Sequence, residues 1–268
     1  MKRLVTILLA LVMLIPAALG EIDLTSFSDQ ELLDLRSALD AEIASRSLVQ
    51  ADFFASDERY TEFNDLMLTC DFDELQTMLS SYIKDYQPGP EDSVFKLMTS
   101  LESILAYSDI TERIVDDFDG SATIRFKDCE AISEDVCVAP FIEGPDARVR
   151  FGFVKKGWLF FDGIAISADG KVIFNNTEYR SYDPDQEIIE GGVISEIAAS
   201  VLPEDRVFYV VLEKSQKCVI RFSCFKSGEH FDHTLTDTEK AAIVAAYRID
   251  SLMDDMYRVR NQHRKKHK

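Results

Sequence analysis

The sequence has few of the features that identify enzymes and membrane-spanning proteins. After residue 20, no apolar run approaches the roughly 18 residues that a membrane-spanning helix needs. Only four histidines are present, and two of them, His263 and His267, lie in a basic C-terminal tail. A GxSxG nucleophile motif, a phosphate-binding loop and a dinucleotide-binding fingerprint are also missing. These gaps predict a mature chain without a transmembrane segment and without the common catalytic motifs.

The first twenty residues have the three parts of a secretory signal peptide. Lys2 and Arg3 supply positive charge, residues 4–15 are apolar, and Pro16 precedes small residues that suit signal peptidase. The apolar stretch is too short to cross a bilayer comfortably, and no cysteine stands at the cleavage point to carry a lipid. We expect cleavage before Glu21 and a protein that is secreted or extracytoplasmic.

Negative charge dominates the composition. The chain has 48 Asp and Glu against 29 Lys and Arg, a net charge of −19. Such an acidic body repels nucleic acid and anionic lipid, and its plainest use is solubility outside the cell. The C-terminal stretch is instead basic and has no acidic residue: Arg258, Arg260, Arg264, Lys265, Lys266, Lys268. We expect a frayed, solvated tail, which could bind an anionic envelope surface or fold back on the acidic body.

Five cysteines in an exported protein leave at least one thiol unpaired in the monomer. Cys218 and Cys224 flank a strand-like segment, which would hold them roughly 20 Å apart and prevent a bond between them. A cross-strand bond between Cys129 and Cys137 is feasible. Alternatively all five cysteines, Cys70 included, are buried small apolar residues.

Capping patterns predict several helices. Ser28 with Glu31, Asp71 with Glu74, and Thr236 with Glu239 have the spacing of helix N-termini. The second of these helices must end before the QPGP segment at 87–90, and another begins near Glu91. Residues 203–215 are rich in β-branched residues but open with Pro, Glu and Asp, which favours a further helix.

From Gly120 the apolar residues alternate, as in half-buried strands, over 122–126 and 149–153. Residues 154–158 and the Asp169-Gly170 pair predict two hairpin turns, the second of type I′. We expect an α+β fold with a helical region at 21–117, an antiparallel β-meander domain with a C-terminal helix packed on its sheet at 118–258, and a basic tail at 259–268.

Several of these segments resemble a recurring C-terminal module of uncharacterised secreted bacterial proteins. The similarity runs from FDGSATIRFKD through GFVKKGWLFFDGIAISADGK to SQKCVIRFS and LTDTEKAAI, about half of the chain. The segment SFSDQELLDLRSALDAEIASR is similar to an N-terminal helix common in exported bacterial proteins. The resemblance implies a secreted location and a helix before the IRF strand, which supports the helix at 203–215. It implies no activity.

Possible metal ligands cluster only in the EHFDH segment: Glu229, His230, Asp232, His233. On an extended strand His230 and His233 point to opposite faces, so we predict that they do not form a metal site. The VDDFDG segment at 115–120 fails the EF-hand pattern, because Phe126 stands where a bidentate Glu belongs, and predicts a turn before the first strand. The acidic DPDQE segment at 183–187 predicts a solvated loop.

A thiol–histidine dyad would have to use His230 or His233, and Cys137 or Cys224 with His233 is the pair that fits best. A glycosidase would need two facing carboxylates that the sequence cannot nominate. One aromatic set could line a sugar-binding face but more commonly forms core: Phe151, Phe153, Trp158, Phe160, Phe161. We therefore assign no catalytic, metal or cofactor-binding residue.

The sequence favours a non-enzymatic module that contacts a protein or the cell envelope. The alternative is a secreted hydrolase that uses dispersed carboxylates or the cluster of His230, Asp232 and His233. A cleft that collects three or more acids or both histidines would favour the enzyme, and an exposed apolar patch would favour the binding module.

Overall fold

The computed structural model describes residues 53–89, 92–129, 136–144, 146–155, 159–176, 185–189, 193–201, 203 and 205–266, with 28, 30, 32–34 and 36–37. The chain divides into two compact units, Met1–Gln50 and Ala51–Lys268. The described residues of the first unit include a helical stretch, in which the Leu32 N–H donates to the Ser28 carbonyl at 3.0 Å. The signal peptide and Glu31 lie outside the described residues.

The second unit combines helices with two antiparallel sheets, as expected for an α+β protein. Its helices are α1 (Asp57–Leu68), α2 (Phe72–Tyr86), α3 (Ser93–Leu105), α4 (Arg206–Lys214) and α5 (Asp237–Lys266). Its strands are β1 (Thr111–Val115), β2 (Ala122–Phe126), β3 (Val136–Glu143), β4 (Asp146–Lys155), β5 (Gly163–Ala168), β6 (Lys171–Asn175), β7 (Asp185–Ile189), β8 (Val193–Val201), β9 (Cys218–Ser223) and β10 (His230–Thr234). No helix in the described part of the chain is long and apolar enough to cross a bilayer.

The predicted helix starts follow from side-chain caps. Asp71 accepts the Glu74 N–H at the start of α2, and Asp205 accepts the Val207 N–H at the start of α4. At the start of α5 the Thr236 hydroxyl accepts the Glu239 N–H, while the Glu239 carboxylate accepts the Thr236 N–H. This reciprocal pair is the predicted capping box. The helix α1, which Ser56 caps, was not predicted.

The strands form two sheets rather than one meander. One sheet has the order β1-β2-β3-β4-β8-β7 and the other has the order β10-β9-β5-β6, with antiparallel neighbours throughout. The predicted hairpin at 154–158 is wrong, because β4 pairs with β3 and β8 while β5 pairs with β6 and β9. Residues 156–158 themselves lie outside the described part. The Asp169-Gly170 hairpin is confirmed, since both residues have positive φ, as a type I′ turn requires.

The long helix α5 takes part in two hydrophobic cores. In the first core, Ala246 and Met253 of α5 pack with α1–α3 and with the face of β2 and β3 that carries Ile124 and Ile142. In the second core, Ile243 of α5 packs with α4 and with side chains from both sheets. The expected boundary at residue 117/118 falls in the loop between β1 and β2. The helical and β regions on its two sides share the first core.

The cysteines are mostly buried. Cys70, Cys218 and Cys224 are buried free thiols, which agrees with the prediction that a strand separates the last two. Cys129 is buried as well. The side chain of Cys137 lies outside the described residues, so the proposed Cys129–Cys137 bond stays a prediction.

The start of the basic tail is helical rather than frayed, since α5 continues to Lys266. The Arg260 guanidinium lies over the rings of Tyr60 and Tyr257, 5.6 and 4.8 Å from their centroids, and donates a hydrogen bond to Asn64 of α1. Arg258 pairs with Asp255 within the helix at 3.0 Å. The first part of the tail therefore folds back on the body of the protein.

We predict that Arg260→Ala lowers the free energy of unfolding by about 1 kcal/mol, because it removes both ring contacts and the bond to Asn64. Arg258→Ala is the matched control, since an exposed ion pair within one helix contributes about 0.5 kcal/mol or less. Urea denaturation of both variants checks this. Equal loss of stability in the two variants would show that Arg260 does not anchor the tail.

Candidate functional site

Two loops meet at one end of the four-stranded sheet, and we call them the loop end: residues 159–162 before β5 and 224–229 after β9. The Asp162 N–H donates to the Ser223 carbonyl at 2.9 Å, and the Asp162 carboxylate accepts the Phe225 N–H at 2.9 Å. These two bonds fix the position of one loop relative to the other.

The first loop is held by a buried carboxylate from the other sheet. Glu196 lies on β8 of the six-stranded sheet, and its side chain is fully buried. One carboxylate oxygen accepts the N–H groups of Leu159 and Phe160 at 2.7 and 2.9 Å, and the other accepts the Phe161 N–H at 3.0 Å. Three consecutive backbone donors thus replace the water that a buried carboxyl group would otherwise need.

This arrangement forces an uncommon backbone conformation on Phe160. Its φ is +53°, in the left-handed region that a bulky residue seldom adopts. The neighbouring Leu159 and Phe161 are buried, whereas the Phe160 side chain is 52% exposed. Strain of this kind persists only where the surroundings impose it, and here Glu196 imposes it.

The second loop displays another aromatic side chain. Phe225 is 61% exposed next to the buried Cys224. The Cys224 N–H donates to the Glu229 carbonyl at 2.9 Å, and the Gly228 N–H donates to the Cys224 carbonyl at 3.0 Å. Gly228 has a φ of +71°, which a glycine adopts at little cost. The loop end therefore presents two aromatic rings on backbone that is fixed by hydrogen bonds.

The EHFDH residues do not converge. His230, Asp232 and Thr234 of β10 are exposed on one face, while His233 lies partly buried on the other, as predicted for a strand. The Asp232 carboxylate forms two 2.7 Å bonds with Arg221 of β9, and these bonds lower the pKa of Asp232. Among the described residues, no group of three or more His, Cys, Asp and Glu side chains is arranged to hold a metal ion.

His233 belongs to the start of α5. Its Nε2 lies 3.0 and 3.1 Å from the two carboxylate oxygens of the capping residue Glu239. Burial raises the pKa of Glu239, but the bonds from His233 and Thr236 outweigh it and hold the pKa below its ordinary value. His233 lies opposite Ile220 in β9, away from Cys224 at the strand end, so these two do not form the dyad considered above.

Two clefts in the described part of the chain collect three or more acids. One of about 600 Å³ runs along α1 and holds four exposed acids, Asp57, Glu58, Glu62 and Asp65. The other, of about 340 Å³, holds Asp71, Asp73 and Glu112. Asp71 caps α2 and forms an ion pair with Arg113 at 3.1 Å, so its carboxylate stabilises the fold. Asp73 and Glu112 are exposed and lack the desolvated surroundings that a general acid needs. Both clefts have the number of acids that would favour a hydrolase, but neither gives them desolvated surroundings.

The remaining sequence candidates have structural positions. Residues 116–120 form the turn between β1 and β2, so this turn follows the first strand instead of preceding it. Residues 185–187 belong to β7, which corrects the expected loop at 183–187. Phe151 and Phe161 are core residues, whereas Phe160 is exposed. The side chains of Phe153 and Trp158 lie outside the described residues.

Sequence reasoning missed Glu196 and Phe225. The only signal for Glu196 is one acid in the apolar segment VISEIAASV, and nothing in the segment names its partners. Phe225 follows a predicted strand and looks like its continuation. The roles of both residues depend on contacts between distant segments, which local sequence patterns do not specify.

Neither a protein-family model, nor a curated protein, nor a solved structure matches this chain. The resemblance to secreted bacterial proteins therefore stays a prediction. Function has to be inferred from the geometry of the described residues.

We predict that Glu196→Ala lowers the free energy of unfolding by about 3 kcal/mol or more, because three backbone N–H groups lose their acceptor. Glu196→Gln keeps one acceptor oxygen and should cost about half as much. Urea denaturation near neutral pH measures both. The control is Glu229→Ala on the exposed loop, which should stay within about 0.5 kcal/mol of the native protein. An Ala variant as stable as the native chain would disprove the clamp.

A second prediction concerns pH. Because the pKa of Glu239 is lowered by folding, its ionised form stabilises the fold above the ordinary value of 4.5, and this contribution is lost as the pH falls through the folded-state pKa. Glu239→Gln should therefore be less stable than the native protein at about pH 7, with a difference that shrinks by about pH 3. Denaturation midpoints across this range give the answer. Glu229→Gln serves as the exposed control, and a gap of constant size would refute the linkage.

Proposed function

We propose that this protein is an exported, non-enzymatic binding module that contacts a protein partner through its loop end. The observation that carries the proposal is the display of Phe160 and Phe225, 52% and 61% exposed, on loops fixed by hydrogen bonds. Aromatic side chains on backbone that is already fixed lose little backbone entropy on binding, and aromatic residues anchor many protein interfaces.

The cost of the arrangement supports a binding role. A buried carboxyl group at Glu196 and a left-handed backbone at Phe160 both cost free energy. Local strain that a fold maintains is common at sites that bind a ligand. The Phe160 ring is the side chain that this strain turns outward.

The charges at the loop end favour a protein partner over an anionic envelope surface. The exposed Lys226 and Glu229 carry opposite charges on the same loop. Binding to anionic lipid uses clusters of about four to eight basic residues, which the described loop end lacks. A mixed, aromatic surface is typical of protein interfaces.

Export is part of the same proposal. The support is the signal-like segment before Glu21 and the acidic composition of the chain. Buried thiols at Cys70, Cys218 and Cys224 are compatible with any compartment. N-terminal sequencing of protein recovered outside the cytoplasm should begin at Glu21.

The binding proposal is tested by a photo-crosslinking amino acid at position 226, beside Phe225, in cells that express and export the full chain. We expect a discrete crosslinked band that disappears when Phe160→Ser and Phe225→Ser are combined in that chain. The reason is that both anchors are removed while Glu196 still holds the backbone. The matched control is Val172→Ser, a change to an equally exposed side chain on β6 that should leave the band intact.

Two results would contradict the proposal. The first is a crosslinked band of equal strength in the double variant, and the second is no band at all in exported native protein. Sedimentation with phosphatidylglycerol vesicles distinguishes the envelope alternative, since binding there that depends on both Phe residues would identify a lipid surface instead of a protein.

A further inference from the structure

The turn between β1 and β2 displays a third aromatic ring, far more exposed than the other two. Phe118 is 99% exposed, so its ring packs against essentially none of the residues that the structure describes. The Asp116 carboxylate accepts the Phe118 N–H at 2.7 Å and the Asp119 N–H at 3.3 Å, and the Gly120 N–H donates to the Asp116 carbonyl at 2.9 Å. The turn is thus a rigid mount for one aromatic side chain.

This hairpin tip is also acidic. Asp117 and Asp119 flank Phe118 directly, and both are exposed. A surface that matches the tip must combine an apolar recess for a ring with positive charge at its rim.

The structure contains a recess with those properties, which we call the α4–α5 groove. It has a volume of about 460 Å³, and a cavity of about 150 Å³ already accommodates a benzene ring. Tyr247 of α5 lies partly buried in its wall, stacked on the buried ring of Tyr209 of α4 with ring centroids 3.7 Å apart and planes at 9°. The Tyr209 hydroxyl donates to the Pro203 carbonyl at 2.8 Å, and Val210 adds an apolar surface that is partly exposed.

The groove is locally positive although the chain is strongly acidic. Its charged lining residues are Arg206, Arg248 and Glu213, two cations and one carboxylate. Arg248 forms two 2.8 Å contacts with Glu213, and Arg206 makes no ion pair with the described residues. Arg206 is exposed, so its charge is available to an incoming carboxylate.

We propose that this protein self-associates by inserting Phe118 of one copy into the α4–α5 groove of a second copy, with Asp117 facing Arg206. Packing against the partly buried Tyr247 and the exposed Val210 supplies the apolar contact, and the charges select the orientation. The surfaces that meet are different, so the contact is heterologous: it closes a dimer if both tips engage at once and otherwise extends into chains.

The contact is small and belongs to the weak, transient class. One ring and its neighbours cover less than the roughly 1,200 Å² of a stable interface, so we expect association at about 0.1 mM and above. Salt should weaken it, because the charges involved are exposed. The site is separate from the loop end, so failure here leaves the proposed binding function untouched.

Sedimentation velocity of the full mature chain over a concentration series at low salt tests the proposal. Phe118→Ser should weaken association at least about tenfold, as expected for the loss of an interface anchor. Asp117→Arg and Arg206→Glu should each weaken it as well, since each places like charges opposite one another. The double variant Asp117→Arg/Arg206→Glu restores opposite charges and should recover association close to that of the native chain.

The exposed Val172→Ser is the matched control and should not change the sedimentation profile. Circular dichroism and thermal melting confirm that each variant is folded, which we expect because the changed side chains are exposed. A native chain that stays monomeric at all concentrations would overturn the proposal. So would association that survives Phe118→Ser, or a double variant that is no better than its single variants.

Discussion

The hydrogen bonds of the Glu196 carboxylate tie the six-stranded sheet to the segment that enters the four-stranded sheet. β4 and β5 are consecutive in the chain but belong to different sheets, so the connection between them must leave one sheet and enter the other. Glu196 holds the end of that connection through three backbone bonds. A buried charge is costly without partners, and this one is satisfied only when the loop is in place. The contact therefore favours one placement of β5 over others of similar hydrophobicity.

The helix α5 connects the two hydrophobic cores. Alanines 242, 245 and 246 give it a surface that neighbouring elements can approach closely, and Ile243 and Val244 project toward the second core. One rigid element thus contributes to the packing of the N-terminal helices and to that of the two sheets. The capping box at Thr236 and Glu239 sets where this helix begins, which determines the residues that face each core.

The sequence predicted those features that are encoded locally. Caps at Asp71 and Thr236 and the Asp169-Gly170 turn depend on residues within a few positions of each other, and the structure confirms them. It could not predict which strands pair, because alternation in β4 and β5 fits either one sheet or two. The helix α1 was not predicted because its apolar stripe is weak, with only Phe63 and Met67 buried. Glu196 acts across sheets, so no local pattern reveals its three donors.

Several of the many acids hold turns and loops of the fold. Glu196 and Asp162 hold the loop end, Asp116 holds the β1–β2 turn, and Asp169 accepts the N–H groups of Gln216 and Lys217 at 3.1 and 2.9 Å. In each case a carboxylate satisfies backbone donors that the sheets leave unpaired. Three of these carboxylates fix the backbone beside an exposed Phe. The same carboxylates that close the turns therefore fix the backbone that carries the exposed aromatic rings, and this links the acidic composition to both proposed contact surfaces.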